Sequence, residues 1–163
     1  MTHLLDSRLH CRKILALDID LKSIKYAANH YASPRISYMV QDIALPWNQL
    51  DPKIQSLEGK VDLIFSNRML HWVENKHLAI ANFYRLLKPN GGSFYANITT
   101  LWDLFYDLDE EEKAKYDKLL HIPTEEEQVE QFRAFFEKNS FKDIILESTV
   151  LRQLYPGHEF TSG

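Results

Sequence analysis

A chain of 163 residues, 45% of them apolar, is sized for one domain around one sizeable core. No run of eighteen apolar residues occurs, so no membrane-spanning helix is expected, and the start "MTHLLDSRLHCRK" does not read as a secretory leader. Cys11 is the only cysteine, which excludes an internal disulfide and fits a reducing, cytoplasmic compartment. The net charge of −4 is unevenly spread: residues 103–130 hold eleven acids against three bases, and the remainder is mildly basic without forming a stripe. Nucleic acid is therefore not expected as a partner. The seven histidines are not spaced as ligands with one another or with Cys11, and no metal site is expected.

In chain order, "KILAL" (13–17) reads as a short buried strand. Asp20 follows at a helix N-cap position, and Ile24, Ala27, Ala28 and Tyr31 recur at helical spacing until "SP" at 33–34 stops the helix. "RISYMVQD" (35–42) is a second strand, followed by the loop "IALPWNQLDP", and "KVDLIFSN" (60–67) is a third. A helix over 75–87 carries Leu78, Ala81, Phe83, Leu86 and Leu87, and "KPNGG" ends it. "SFYANIT" (93–99) is the fourth strand. The acidic stretch 101–138 is expected to be helical in two parts, broken at Pro123, with Thr124 and Glu127 spaced as a capping box. "FKDIILESTVL" is expected as a final strand. Strands alternating with helices predict a single α/β domain over 1–163 with a mainly parallel sheet.

In open α/β sheets ligands bind beyond the carboxyl ends of the strands. Three strands here end on polar residues, at Asp18, at Asp42, and at Ser66 with Asn67. A strand-end carboxylate can accept both hydroxyls of a ribose, and a second, one strand over, can accept from an adenine amino group. Ile19 and Ile43 flank these acids and could sandwich a flat apolar ring. A strand-end aspartate also serves as a turn former, and Asp20 reads as a cap alone.

"ILALDID", "ISYMVQDI", "VDLIFSNRMLHWV" and "RLLKPNGGSFYANI" resemble, in order and spacing, the class I S-adenosylmethionine-dependent methyltransferases, a Rossmann-like fold. "LHWV" together with "HYASPRISYMVQDI" is most similar to the arthropod juvenile hormone acid methyltransferase group, which methylates the carboxyl of farnesoid acids. The resemblance covers roughly residues 5–155. It implies S-adenosylmethionine as cofactor, with Asp18 on the ribose, Asp42 on the adenine side, and Ile19 and Ile43 beside the base. It also implies Ser66 and Asn67 near the methionine part, and Trp72 with His71 facing the methyl acceptor, a small apolar carboxylic acid. Trp72 can equally be read as a core anchor at the start of a helix.

The family's first strand and glycine-rich loop should precede "ILALDID", where only thirteen residues stand, and "MTHLLDSRLH" resembles the tail of the helix after that loop. The chain thus reads as a fragment, a short isoform or a misassigned gene start. A vacant or re-paired lane is expected between the strands of Asp18 and Ser66. Two other readings are open: a methyltransferase-like domain that binds without catalysing, and a haloacid-dehalogenase-type phosphatase, which "ILALDID" and "LIFSN" resemble. Lys22, where the phosphatases carry Thr, Val or Ser, and the lack of a late acidic pair for magnesium stand against the last.

Overall fold

The computed structural model describes residues 2–8, 11–98, 111 and 124–148. Its elements are α1 (Thr2–Arg8), β1 (Ile14–Asp18), α2 (Leu21–His30), β2 (Ile36–Val40), α3 (Pro52–Gln55), β3 (Leu63–Asn67), α4 (Lys76–Leu86), β4 (Ser93–Asn97) and α5 (Glu125–Lys138). Short 3-10 turns at Trp47–Gln49 and Leu70–Trp72 complete the order. No helix among the described residues is long and apolar enough to cross a membrane.

Local chemistry sets these boundaries. Asp20 starts α2 by accepting the main-chain N–H groups of Lys22 at 3.1 Å and Ser23 at 2.9 Å, which satisfies two otherwise orphaned donors. Asn75 does the same for α4 through Leu78. Thr124 and Glu127 form the reciprocal capping box of α5, with bonds of 3.2 and 2.7 Å. After α4 the chain turns tightly at Gly92, where a Cβ would lie 2.8 Å from both Lys88 N and O, so the close approach demands glycine.

The strands pair in two parallel couples. β1 pairs β2 with Asp18 opposite Val40, and β3 pairs β4 with Asn67 opposite Asn97. Each couple is a strand–helix–strand unit, with α2 or α4 as the crossover. Among the described residues no ladder joins β1 to β3. Their outward-facing amides, those of Leu15 and Leu17 on β1 and of Leu63 and Phe65 on β3, point away from the partners they pair with.

One core serves both couples. Ile43, Leu50, Ile54, Leu70, Ala79, Phe83 and Leu86 form its buried centre, with Leu15, Leu17, Met39, Ile64 and Phe94 packed against it. Ile43 lies just past β2 and Leu70 just past β3, so the carboxyl ends of the two couples open onto the same cluster. On α4 the buried stripe is Ala79, Ile80, Asn82, Phe83 and Leu86 rather than one containing Leu78 and Ala81, which are half-buried. Phe83 stacks on Phe94 at 5.2 Å, and Phe136 of α5 and Phe141 close the aromatic cluster. At the other end, Asp6 of α1 is buried, accepts from Ser33 Oγ at 3.0 Å and faces the Arg35 guanidinium.

The segment 141–148, expected to begin a final strand, is irregular. Ser140 and Asp143 take positive φ angles of 65° and 53°, which break an extended run, and Ile145 is left 81% exposed. The rest of that segment, and the first part of the acidic stretch, lie outside the described residues.

Candidate functional site

The parallel register places Asp18 at the carboxyl end of β1 and Asp42 two residues past the end of β2, so both acids lie on one edge. The bond from Gln41 N–H to the Asp18 carbonyl, 2.9 Å, continues the ladder to that edge. Asp18 is exposed, and its Oδ1 accepts from the Asp20 N–H at 2.9 Å while Oδ2 has no partner among the described residues. Asp42 is half-buried, and its Oδ1 accepts from the Ala44 N–H at 2.8 Å. Each carboxylate thus combines a turn-forming oxygen with one left over to accept from a ligand.

Asp20 differs from both. Its Oδ1 accepts Lys22 N–H, and its Oδ2 accepts both the N–H and the hydroxyl of Ser23, the latter at 2.9 Å. Those bonds hold its carboxyl below the usual carboxylate range. A carboxylate committed in this way serves as the helix cap that its position in the sequence suggests.

Ile19 and Ile43 part company. Ile19 is 69% exposed beside Asp18, whereas Ile43 is 6% exposed and belongs to the core. The two side chains thus differ in setting, Ile19 standing at the surface and Ile43 packed in the core at the same edge.

Ser66 and Asn67 close β3. Ser66 is 5% exposed, and its hydroxyl has no hydrogen-bond partner among the described residues. A buried polar atom without a partner is costly in a native fold, so such a group at a strand end marks a place where a ligand atom can complete it. Arg68 follows with a positive φ of 50°, and its N–H bonds the Asn97 carbonyl at 2.7 Å, which turns the chain sharply off the sheet.

The turn Leu70–Trp72 comes next. Leu70 is fully buried and roots it, while Trp72 is 74% exposed, which excludes the reading of Trp72 as a core anchor. The His71 ring lies 5.0 Å from that of Trp72. His71 Nδ1 is buried without a partner among the described residues, and burial first, then the positive charges of Arg68 and Lys76, lower its pKa from 6.5. A cleft of about 520 Å³ opens just beyond, between α4 and α5, lined by Glu74, Asn75, Lys76, His77, Gln131 and Phe135. Its lining mixes polar and apolar surface, with Phe135 among polar and charged side chains.

Sequence reasoning missed Asn82. It is 4% exposed on the inner face of α4, and its Nδ2 donates to the carbonyls of Ile43 at 2.7 Å and Leu45 at 2.9 Å. The available signal was a polar residue at helical spacing between Ala79 and Leu86.

Two parallel strand–helix–strand units, with Asp18 and Asp42 at the carboxyl edge of the first, define a Rossmann-like α/β fold. The fold agrees with a chain in the complex between the Haloferax volcanii Trm112 methyltransferase activator and a methyltransferase, at a TM-score of 0.59 and 18% identity over 85% of this chain and 54% of that one. Residues 1–95 match the family described as "Methyltransferase domain", and the chain belongs to that family. It is also similar to juvenile hormone acid O-methyltransferase of Drosophila melanogaster, 36% identical over 84 residues, 49% of this chain and 26% of that protein. The protein of the same name from Bombyx mori is 27% identical over 103 residues, 62% of this chain and 35% of that protein. The matched segments thus span about a quarter to a third of these relatives.

Proposed function

We propose that the chain is an S-adenosylmethionine-dependent methyltransferase that acts on the carboxyl of a small apolar acid of the farnesoid type. The observation that carries this reading is the shared edge of Asp18 and Asp42, together with the orphaned Ser66 hydroxyl on the neighbouring couple. The free carboxylate oxygen of Asp18 suits a ribose diol, and that of Asp42 suits an adenine amino group. Ile19 offers an exposed apolar face to the base, and Ser66 with Asn67 offers hydroxyl and amide groups to the amino-acid end. When bound, the cofactor supplies an electrophilic methyl on a sulfonium.

Little else is asked of the protein. A carboxylate acceptor is already ionised at neutral pH, so the task is alignment and exclusion of water rather than base catalysis. Exposed Trp72, held by buried Leu70, can shield an apolar acid from water, and neutral His71 adds no charge that would hold the acceptor's carboxylate away from the methyl. The similarity to the two juvenile hormone acid O-methyltransferases supports the farnesoid class of acceptor.

Titration calorimetry with S-adenosylmethionine and with S-adenosylhomocysteine, followed by tritiated-methyl transfer to a farnesoid acid, tests the proposal. Saturable binding of both nucleosides and label in the ester support it. Binding without label transfer to any apolar acid would reduce the chain to a binding domain, and absence of binding would remove the cofactor from the account.

A further inference from the structure

We infer that Asn82 is the positioning residue of the adenine side, an assignment that rests on the cofactor reading above. The loop after β2 carries Asp42 but has no ladder to hold it. Side-chain amides hold it instead. Gln41 Nε2 donates to the Asp42 carbonyl at 2.7 Å, and Gln41 Oε1 accepts the Asp51 N–H at 3.0 Å, which closes the loop on itself. Asn82 supplies the remaining grip from outside, spending its Nδ2 on the next carbonyl, Ile43, and on Leu45. Both acceptors are carbonyl oxygens, so the orientation of the amide is fixed by chemistry: only its nitrogen can face them.

The consequence is mechanical. Asn82 lies on α4, which the core holds through Ala79, Phe83 and Leu86 on the same face. The loop backbone on both sides of Ala44 is therefore bolted to a rigid helix 37 and 39 residues away in sequence. Ala44 is the residue whose N–H fixes the Asp42 carboxylate. Asn82 never needs to touch the ligand; it sets where the Asp42 oxygens stand when a ligand arrives, and so reduces the ordering that binding must otherwise supply.

The test uses the full chain with Asn82→Asp and Asn82→Ala, and Phe136→Leu on α5 as a destabilised control. Asn82→Asp keeps the shape but removes both donors, and its carboxylate would face two carbonyl oxygens. Amide hydrogen exchange reports the loop directly. Protection at the Ala44 and Asp51 N–H groups is expected to fall by about tenfold or more in both Asn82 variants, with the β3 and β4 amides unchanged. Calorimetry with adenosine and with S-adenosylmethionine should show the same loss of affinity for each, about tenfold, since the effect belongs to the shared adenine end. Phe136→Leu should move neither loop protection nor the ligand ratio. Unchanged protection at Ala44 and Asp51, or an affinity loss confined to S-adenosylmethionine, overturns the assignment. Wild-type protein that binds neither nucleoside overturns the cofactor reading itself, a failure visible before any substitution, and loop protection then decides alone whether Asn82 holds the loop.

Discussion

The main-chain N–H of Asp20 donates to Asp18 Oδ1 at 2.9 Å, so two acids two residues apart perform separate tasks within one turn. Asp20 spends both carboxylate oxygens on the start of α2, while Asp18 keeps Oδ2 available at the sheet edge. Asp18→Ala is expected to weaken S-adenosylmethionine binding by about 1.5–3 kcal/mol, the range for hydrogen bonds to a charged partner. Asp20→Ala should leave affinity nearly unchanged and lower only the thermal midpoint, by a few degrees at most. Calorimetry and thermal unfolding on the two variants separate these outcomes; equal affinity losses would mean that the ligand-binding acid has been misassigned.

The Asp20 cap also carries a pH dependence. Its carboxyl titrates below the ordinary value of 3.8 because the folded chain hydrogen-bonds the charged form. Its contribution is therefore complete above that value and disappears as pH falls through the lower folded pKa. His71 acts in the same direction at a higher pH. Burial and its cationic neighbours lower its pKa below 6.5, so the unfolded chain binds a proton there before the folded chain does. Stability should fall as pH drops below 6.5 toward the folded pKa, and His71 adds no slope above it. Urea midpoints from about pH 7.5 down to about 5 should decline less steeply in His71→Gln than in wild type. Parallel curves for the two proteins would show that His71 protonates equally in both states.

Leu70 and Trp72 share a turn and should respond oppositely to truncation. Leu70 is fully buried, and Leu70→Ala is expected to cost about 2–5 kcal/mol of unfolding free energy through the lost contacts and the cavity left behind. Trp72 projects to solvent, so Trp72→Ala should change stability by no more than about 0.5 kcal/mol while methyl transfer to an apolar acid falls. Denaturant unfolding beside a turnover assay checks both. A Trp72→Ala protein with unaltered turnover would leave the indole without a part in acceptor binding.

Much of this was legible in the sequence because it is written in local chemistry. Short apolar runs that end on polar residues gave strands β1 to β4 within three residues of their observed bounds, and Asp20, Thr124 and Glu127 announced their caps by spacing alone. Other features depend on partners far along the chain. Asn82 reads as an ordinary polar helix residue until the carbonyls of Ile43 and Leu45 are brought to it. Ile43 reads like Ile19 until the loop folds inward and the core takes its side chain. The run "FKDIIL" has strand composition, but left-handed backbone at Ser140 and Asp143 interrupts it, and composition gives no sign of that.

The Arg85 guanidinium lies 4.2 Å over the Trp47 ring while its Nε donates to Glu58 at 2.7 Å. Trp47 rides on the loop that Asn82 pins, and Arg85 lies on the same helix, one turn further on. An indole under a cation emits differently from one in water, so Trp47 is an intrinsic fluorophore for loop docking, and exposed Trp72 is a second one for the acceptor side. With Trp102 and either Trp72 or Trp47 replaced by phenylalanine, the two single-tryptophan versions of the protein would let the two sides be watched separately in real time, by colour and lifetime, without any attached dye.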